Sequence, residues 1–142
     1  VKKIYKVGIV PHYNDYKITK KLLENSQDFH LIDMMTNDIE SKTIEFLQCE
    51  KIISSSLHGI IISHAYGIPA VWQKFSDKVF GDDIKYQDYF ESVKIHYYSP
   101  KQIKDLNNEE VESLFLRYQS LPKESIINDL KEGLMTVCPF KK

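Results

Sequence analysis

The chain reads as an α/β domain, a Rossmann-like parallel sheet with helices on both faces, and three observations predict this. From Ile4 to Trp72, short β-rich runs alternate with helical patterns across short loops, which implies parallel strands joined by right-handed crossovers. The run from Ile52 to Gln73 contains no Asp, Glu, Lys or Arg, as expected of strands and a helix buried on both sides. Within it, Gly67-Ile68-Pro69 stands where a helix must stop. Glycine takes the left-handed cap there, and proline blocks continuation.

Ile4 to Val10 is β-rich and is halted by the turn chemistry of Pro11-His12-Tyr13-Asn14-Asp15. Tyr16 to Asn25 places Ile18, Leu22 and Leu23 on one side of a short amphipathic helix. Phe29 to Met35 is the second strand. Asn37 or Asp38 can cap a helix whose inward face would use Ile39, Thr43, Ile44 and Leu47. Lys51 to Ser54 is the third strand, Leu57 to Tyr66 a buried helix, and Ala70 to Trp72 the fourth strand. Beyond Trp72 the alternation fades. Phe80 to Asp83 reads as a loop, and Ile84 to Val93 is rich in aromatic and charged residues. Asn108 would cap a helix from Glu109 to Tyr118 with Val111, Leu114 and Phe115 inward, and a last helix spans Lys123 to Leu134. Residues 1–142 are read as one domain, with an α/β core over 1–100 and a helical tail over 101–142.

The 142 residues, 42% hydrophobic and 27% charged, have an ordinary globular composition. Six lysines against three acidic groups make residues 1–28 positive, while six against ten make residues 29–100 negative. No basic stripe appears, which excludes nucleic acid as the expected partner. The uncharged run is long enough to raise the question of a membrane span, but its serines, histidines, glycines and Pro69 argue for a folded core. Cys49 and Cys138 form neither a metal spacing nor a disulfide framework, and both are expected to pack rather than react. The chain opens at Val1 and enters a strand at once, as a piece of a longer protein would.

Ligands of open parallel sheets sit beyond the carboxyl ends of the strands. His12, the end of the second strand, Ser54 to His58 and the segment after Trp72 should therefore share one rim. Ser54, Ser55, Ser56 and His58 fall at the strand-to-helix switch. Free backbone N–H groups and the positive end of a helix dipole meet there, a setting suited to an anion. His58 can bind that anion, move a proton to it, or cap the helix. His12 reads equally as a cleft residue or an exposed turn residue, and Lys85 as a phosphate ligand or a solvated lysine. Gly59 permits close approach of the helix to a ligand or a strand. His64 reads as a packed residue. Asp82, Asp83 and Asp88 match no metal loop, and Tyr86, Tyr89 and Phe90 either wall a sugar or close the sheet edge. No metal ligand set and no resident cofactor is expected.

Four strings in order resemble the polysaccharide pyruvyl transferase family: Val7 to Tyr13, Ser54 to Gly59, His64 to Trp72 and Gly81 to Ser92, with a weaker echo at Cys138-Pro139-Phe140. The resemblance implies a GT-B enzyme of two Rossmann-like halves, of which this chain looks like the C-terminal, donor-side half. It implies transfer of an enolpyruvyl unit from phosphoenolpyruvate to two sugar hydroxyls as a cyclic ketal, in exopolysaccharide or other cell-surface polysaccharide biosynthesis. His58, in Leu57-His58-Gly59, would then be the proton donor or phosphate ligand. His12, Ser54, Ser55, Ser56, Leu57, Gly59 and Lys85 would contact the donor. Where many members carry arginine before Leu-His-Gly, this chain has Ser56. The expected partners are phosphoenolpyruvate, a sugar or lipid-linked glycan acceptor, and a facing N-terminal half without which the chain is inactive. The expected location is the cytoplasm, free or docked at the inner face of the membrane. A nucleotide-sugar glycosyltransferase domain and a non-catalytic binding module are the alternative readings.

Overall fold

In a computed structural model, which describes residues 2–23, 29–34, 39–76, 83–100, 102 and 107–137, four strands form one parallel sheet in the order β2-β1-β3-β4. The strands are β1 (Tyr5–Val10), β2 (Phe29–Leu31), β3 (Cys49–Ser54) and β4 (Ala70–Trp72). The helices are α1 (Tyr16–Leu22), α2 (Ile39–Leu47), α3 (Leu57–Ala65), α4 (Asp83–Ser92), α5 (Asn108–Arg117) and α6 (Glu124–Val137). The predicted fold class is therefore the observed one.

Strand side chains alternate between faces, and the packing separates accordingly. Val7, Ile9, Ile53 and Val71 meet Leu22 and Leu23 beside α1, and Val111 and Leu114 of α5. Val10, Ile52 and Ala70 meet Phe46 of α2 and Ile62 of α3 on the opposite face. Trp72 leads a third cluster with Ile60 of α3, Tyr86 and Phe90 of α4, and Ile126 and Leu130 of α6. Helix α3 has almost no polar face because the sheet lies on one side and α6 on another.

Several sequence expectations are corrected. The inward face of α2 is led by Phe46, while Ile44 is exposed. Strand β3 starts at Cys49, two residues earlier than expected, since Tyr5 pairs with Cys49. Asp83, expected in a loop, opens α4, a helix held by Tyr86 stacking on Trp72 with ring centroids 4.1 Å apart, a tertiary contact that no local period reports. Helix α5 is capped by Asn107, whose side chain accepts from the Glu110 N–H, and not by Asn108. Helix α6 begins at Glu124 and runs to Val137. The expected cap at Asn37 or Asp38, the Gly81-Asp82 part of the loop and the Cys138-Pro139-Phe140 echo lie outside the described residues.

The edge strand β4 is closed by side chains. The Trp72 N–H donates to the Tyr98 hydroxyl at 2.6 Å, and that hydroxyl donates back to the Trp72 carbonyl at 3.0 Å. Tyr98 thus occupies the ladder position of a missing strand. Tyr97 and Tyr98 pack against Trp72.

Gly59 sets how closely α3 approaches the sheet. A Cβ at this position would lie 2.6 Å from Ser54 Oγ and 2.8 Å from Val10 Cγ1. Replacing Gly59 by Ala gains about 1 kcal/mol of helix propensity against about 1–3 kcal/mol of overpacking. We expect a net loss, read as a lower denaturation midpoint at unchanged slope. A raised midpoint would show that α3 can move outward at no cost.

Candidate functional site

The sheet order reverses direction at β1. From β1 the chain turns to α1 on one face, and from β3 it turns to α3 on the other. Val10 and Ser54, the last residues of these strands, are paired in register, and Ser54 is paired in turn with Trp72. Diverging connections leave a crevice at the carboxyl ends of β1 and β3, and this is where the polar residues gather.

Hydrogen bonds draw the two connections together. The Ser55 N–H donates to the Val10 carbonyl at 3.0 Å, and the His12 N–H donates to Ser55 Oγ at 2.8 Å. His12 Nδ1 accepts from the Asn14 N–H at 3.2 Å, which orients the imidazole at the rim. Ser54 Oγ lies 2.9 Å from the Val10 carbonyl and 2.7 Å from the Ser56 carbonyl, and accepts from the Ser56 N–H at 2.9 Å. Ser54 is fully buried, so its hydroxyl braces the backbone.

Ser56 occupies the N-cap of α3 in an extended conformation, and its side chain makes no capping bond. The amides of Leu57, His58 and Gly59 belong to the first turn, where a helix has no internal acceptors for them. His58 is exposed there, beside the positive end of the helix dipole. The Leu57 side chain turns into the aromatic cluster around Trp72. His12, Ser55, Ser56 and His58 are thus brought to one rim. Lys85 is exposed on α4, whose inward residues are Tyr86 and Phe90.

A second group at the rim joins Ser55, Asp83 and Tyr86, which the sequence singled out, to Asp15, Lys74 and Ser76, which it did not. Asp15, Ser55, Trp72, Lys74, Ser76, Asp83 and Tyr86 line a cavity of about 10 Å³. Asp15 is fully buried; one carboxylate oxygen accepts a hydrogen bond from Ser76, and the other, Oδ2, has no hydrogen-bond partner among the described residues. The Tyr86 hydroxyl donates to the Ser55 carbonyl at 2.5 Å. Lys74 Nζ lies 3.2 Å from Asp83 Oδ2. Asp15 had been legible only as turn chemistry. The rule that places ligands beyond strand ends pointed to the segment after Trp72 without selecting Lys74 or Ser76.

His64 is a packed residue, as expected. Nδ1 accepts from the Tyr89 hydroxyl at 2.9 Å, and Nε2–H donates to the Ser120 carbonyl at 2.9 Å, joining α3 to α4 and to the segment before α6. Burial pushes its pKa down from 6.5 to about 4, opposed by the Ala70 and Ser120 carbonyls. Cys49 also packs. Burial pushes its thiol up to about 12, which leaves it protonated and unreactive. Cys138 lies outside the described residues. Among the described residues no group of three or more His, Cys, Asp or Glu is placed to hold a metal ion, and no helix is long and apolar enough to cross a membrane.

The fold and rim define a Rossmann-like α/β domain with its polar residues concentrated where the sheet order reverses. Residues 2–72 match the polysaccharide pyruvyl transferase family model; the chain belongs to that family. The match contains His12 and the whole Ser54–Gly59 turn. An uncharacterized protein of Acanthamoeba polyphaga mimivirus is 45% identical over 89 residues, covering 61% of this chain and 31% of that protein. The chain therefore spans under a third of that relative's length. No solved structure matches the chain.

The His64 environment fixes a pH dependence. Its folded-state pKa lies below the ordinary value, so the unfolded chain binds the additional proton between pH 6.5 and about 4. The stabilisation is complete above pH 6.5 and is lost as pH falls toward 4, by roughly 3 kcal/mol in total. Ring-proton NMR titration of His64 should give a midpoint near 4, alongside a denaturation midpoint that declines below pH 6.5. A ring that titrates near 6.5 would contradict the buried neutral imidazole.

Proposed function

We propose that this chain is the donor-binding half of a two-half pyruvyl transferase that moves an enolpyruvyl unit from phosphoenolpyruvate to two hydroxyls of a sugar acceptor. The observation that carries the reading is the convergence of His12, Ser55, Ser56 and the first turn of α3, with exposed His58, at the β1–β3 crevice. That convergence falls within the residues shared with the family.

The chemistry needs a proton delivered to carbon, donors for two anionic groups, and a dry wall beside a cationic centre. In the proposed sequence His58 delivers a proton to the methylene carbon of phosphoenolpyruvate, leaving positive charge on the adjacent carbon. One sugar hydroxyl adds to that carbon, the carbon–oxygen bond to phosphate breaks, and the second hydroxyl closes the ketal. Of the two hydroxyl protons, one is balanced by the new methyl hydrogen and the other leaves with phosphate. An imidazole suits the first transfer near neutral pH. The amides of Leu57, His58 and Gly59, with the Ser56 hydroxyl, are suited to the phosphate as it departs with its charge. Ser54 and Gly59 contribute through the backbone, by holding α3 against the strand ends.

The acceptor sugar, in this reading, binds a facing half that supplies the other wall of the cleft. The His12–Tyr13 ring pair, with centroids 4.3 Å apart and Tyr13 exposed, stands at the edge that would face it. The acceptor is a sugar or lipid-linked glycan, and the product belongs to a cell-surface polysaccharide.

The test is made in a longer protein that carries this chain together with its facing half. Replacing His58 by Ala should lower ketal formation and phosphate release by about two to four orders of magnitude, with phosphoenolpyruvate affinity changed far less. Turnover close to that of the parent protein would remove His58 from the proton transfer.

A further inference from the structure

We propose that Lys74 is the cation with which the rim holds the anionic donor, and that Asp15 and Asp83 keep its ammonium at the crevice. The assignment rests on the donor-binding reading above and adds to it a residue beyond the family match, which ends at Trp72.

A donor with both a phosphate and a carboxylate brings more negative charge than helix amides alone balance, because those amides supply about half an elementary charge. The chain's single arginine, Arg117, is exposed at the end of α5. Lys85 projects from the outer side of α4. Lys74 differs from both in being held at the rim. The Gln73 N–H donates to the Ser54 carbonyl at 3.0 Å, and Lys74 itself forms a parallel bridge with Gln102. Its backbone is therefore fixed just past the end of β4. Its Nζ lies 3.2 Å from Asp83 Oδ2 and 5.7 Å from the centroid of the Trp72 ring.

Among the described residues Lys74 is also the one cationic side chain in the lining of the Asp15 cavity. The same cavity is lined by Asp15, fully buried, whose Oδ2 has no hydrogen-bond partner among the described residues. A buried carboxylate oxygen in this state demands a donor or a cation, so Asp15 biases the ammonium toward the rim. Asp83 is half-exposed, and an ion pair of that kind is weak enough to be exchanged for a better anion. The lysine is thus paired with Asp83, drawn by the buried charge of Asp15, and released to the ligand. Ser55 connects it to the crevice. Its carbonyl accepts from Tyr86, its Oγ accepts from the His12 N–H, and its side chain borders the same cavity.

The test is calorimetric titration of the 142-residue chain with phosphoenolpyruvate, inorganic phosphate and uridine diphosphate, using wild type, Lys74→Met, Lys74→Arg and, as a charge control, Lys123→Ala. Equal denaturation midpoints establish that the variants fold. Lys74→Met should weaken phosphoenolpyruvate binding about tenfold or more, the loss expected for one charge-assisted hydrogen bond. Lys74→Arg should restore most of that affinity, and Lys123→Ala should match wild type. If Lys74→Met binds phosphoenolpyruvate as tightly as wild type, the Lys74 assignment is overturned and the donor reading stands. If wild type binds uridine diphosphate but not phosphoenolpyruvate, and Lys74→Met loses it, the donor reading falls and Lys74 keeps its role. Wild type binding none of the three would overturn both.

Discussion

The contact on which the rim depends is the seat of Gly59 against Ser54 Oγ and the Val10 side chain. With no Cβ in the way, the first turn of α3 comes down onto the paired ends of β1 and β3. Ser54 can then spend its buried hydroxyl on the carbonyls of Val10 and Ser56. That brace fixes where α3 begins, and with it the direction of the Leu57, His58 and Gly59 amides. The Ser55 side chain is left free to accept from the His12 N–H across the crevice. A parallel sheet supplies a crevice at any point where its order reverses; this close contact sets the first turn of α3 directly against the paired ends of β1 and β3.

Charge at the rim is arranged in two layers. The outer layer is donor-rich, formed by the α3 amides, the Ser56 hydroxyl, the half-buried His12 and the exposed His58. The inner layer is a small cavity in which Asp15, Asp83 and Lys74 leave one more negative than positive formal charge. Two carboxylates beneath an anion site would be unfavourable without a cation beside them, and Lys74, paired with Asp83 in the lining it shares with Asp15, is the cation proposed for that role. Trp72 links the layers. Its backbone is closed by Tyr98, its ring stacks on Tyr86, and Lys74 lies over its face.

Most of the frame was legible because its signals are local. Ala70–Trp72 and the start of α3 at Leu57 follow from apolar runs bounded by serine, glycine and proline, and the strand alternation settles the sheet as parallel. Tertiary contacts wrote what local patterns missed. Helix α4 exists because Tyr86 and Phe90 have Trp72 to pack on, and Phe46 rather than Ile44 faces inward because the cluster around Val10 and Ile52 accepts it. The same division holds at the rim. His12, Ser55, Ser56 and His58 stand out in short motifs that also carry the family match. Asp15, Lys74 and Ser76 are common residues in turns, brought together across as many as 61 positions of sequence by the hydrogen bond between Ser76 and Asp15. Nothing in their spacing announces that meeting.

The central claim is that the β1–β3 crevice is a phosphoenolpyruvate site, and amide chemical-shift mapping of this chain during titration with that ligand tests it most directly. The account predicts saturable shifts centred on Ser55 to Gly59 that extend to His12 and Lys74. Absence of saturable shifts at millimolar ligand, or shifts centred instead on the lysines of α1, would contradict it.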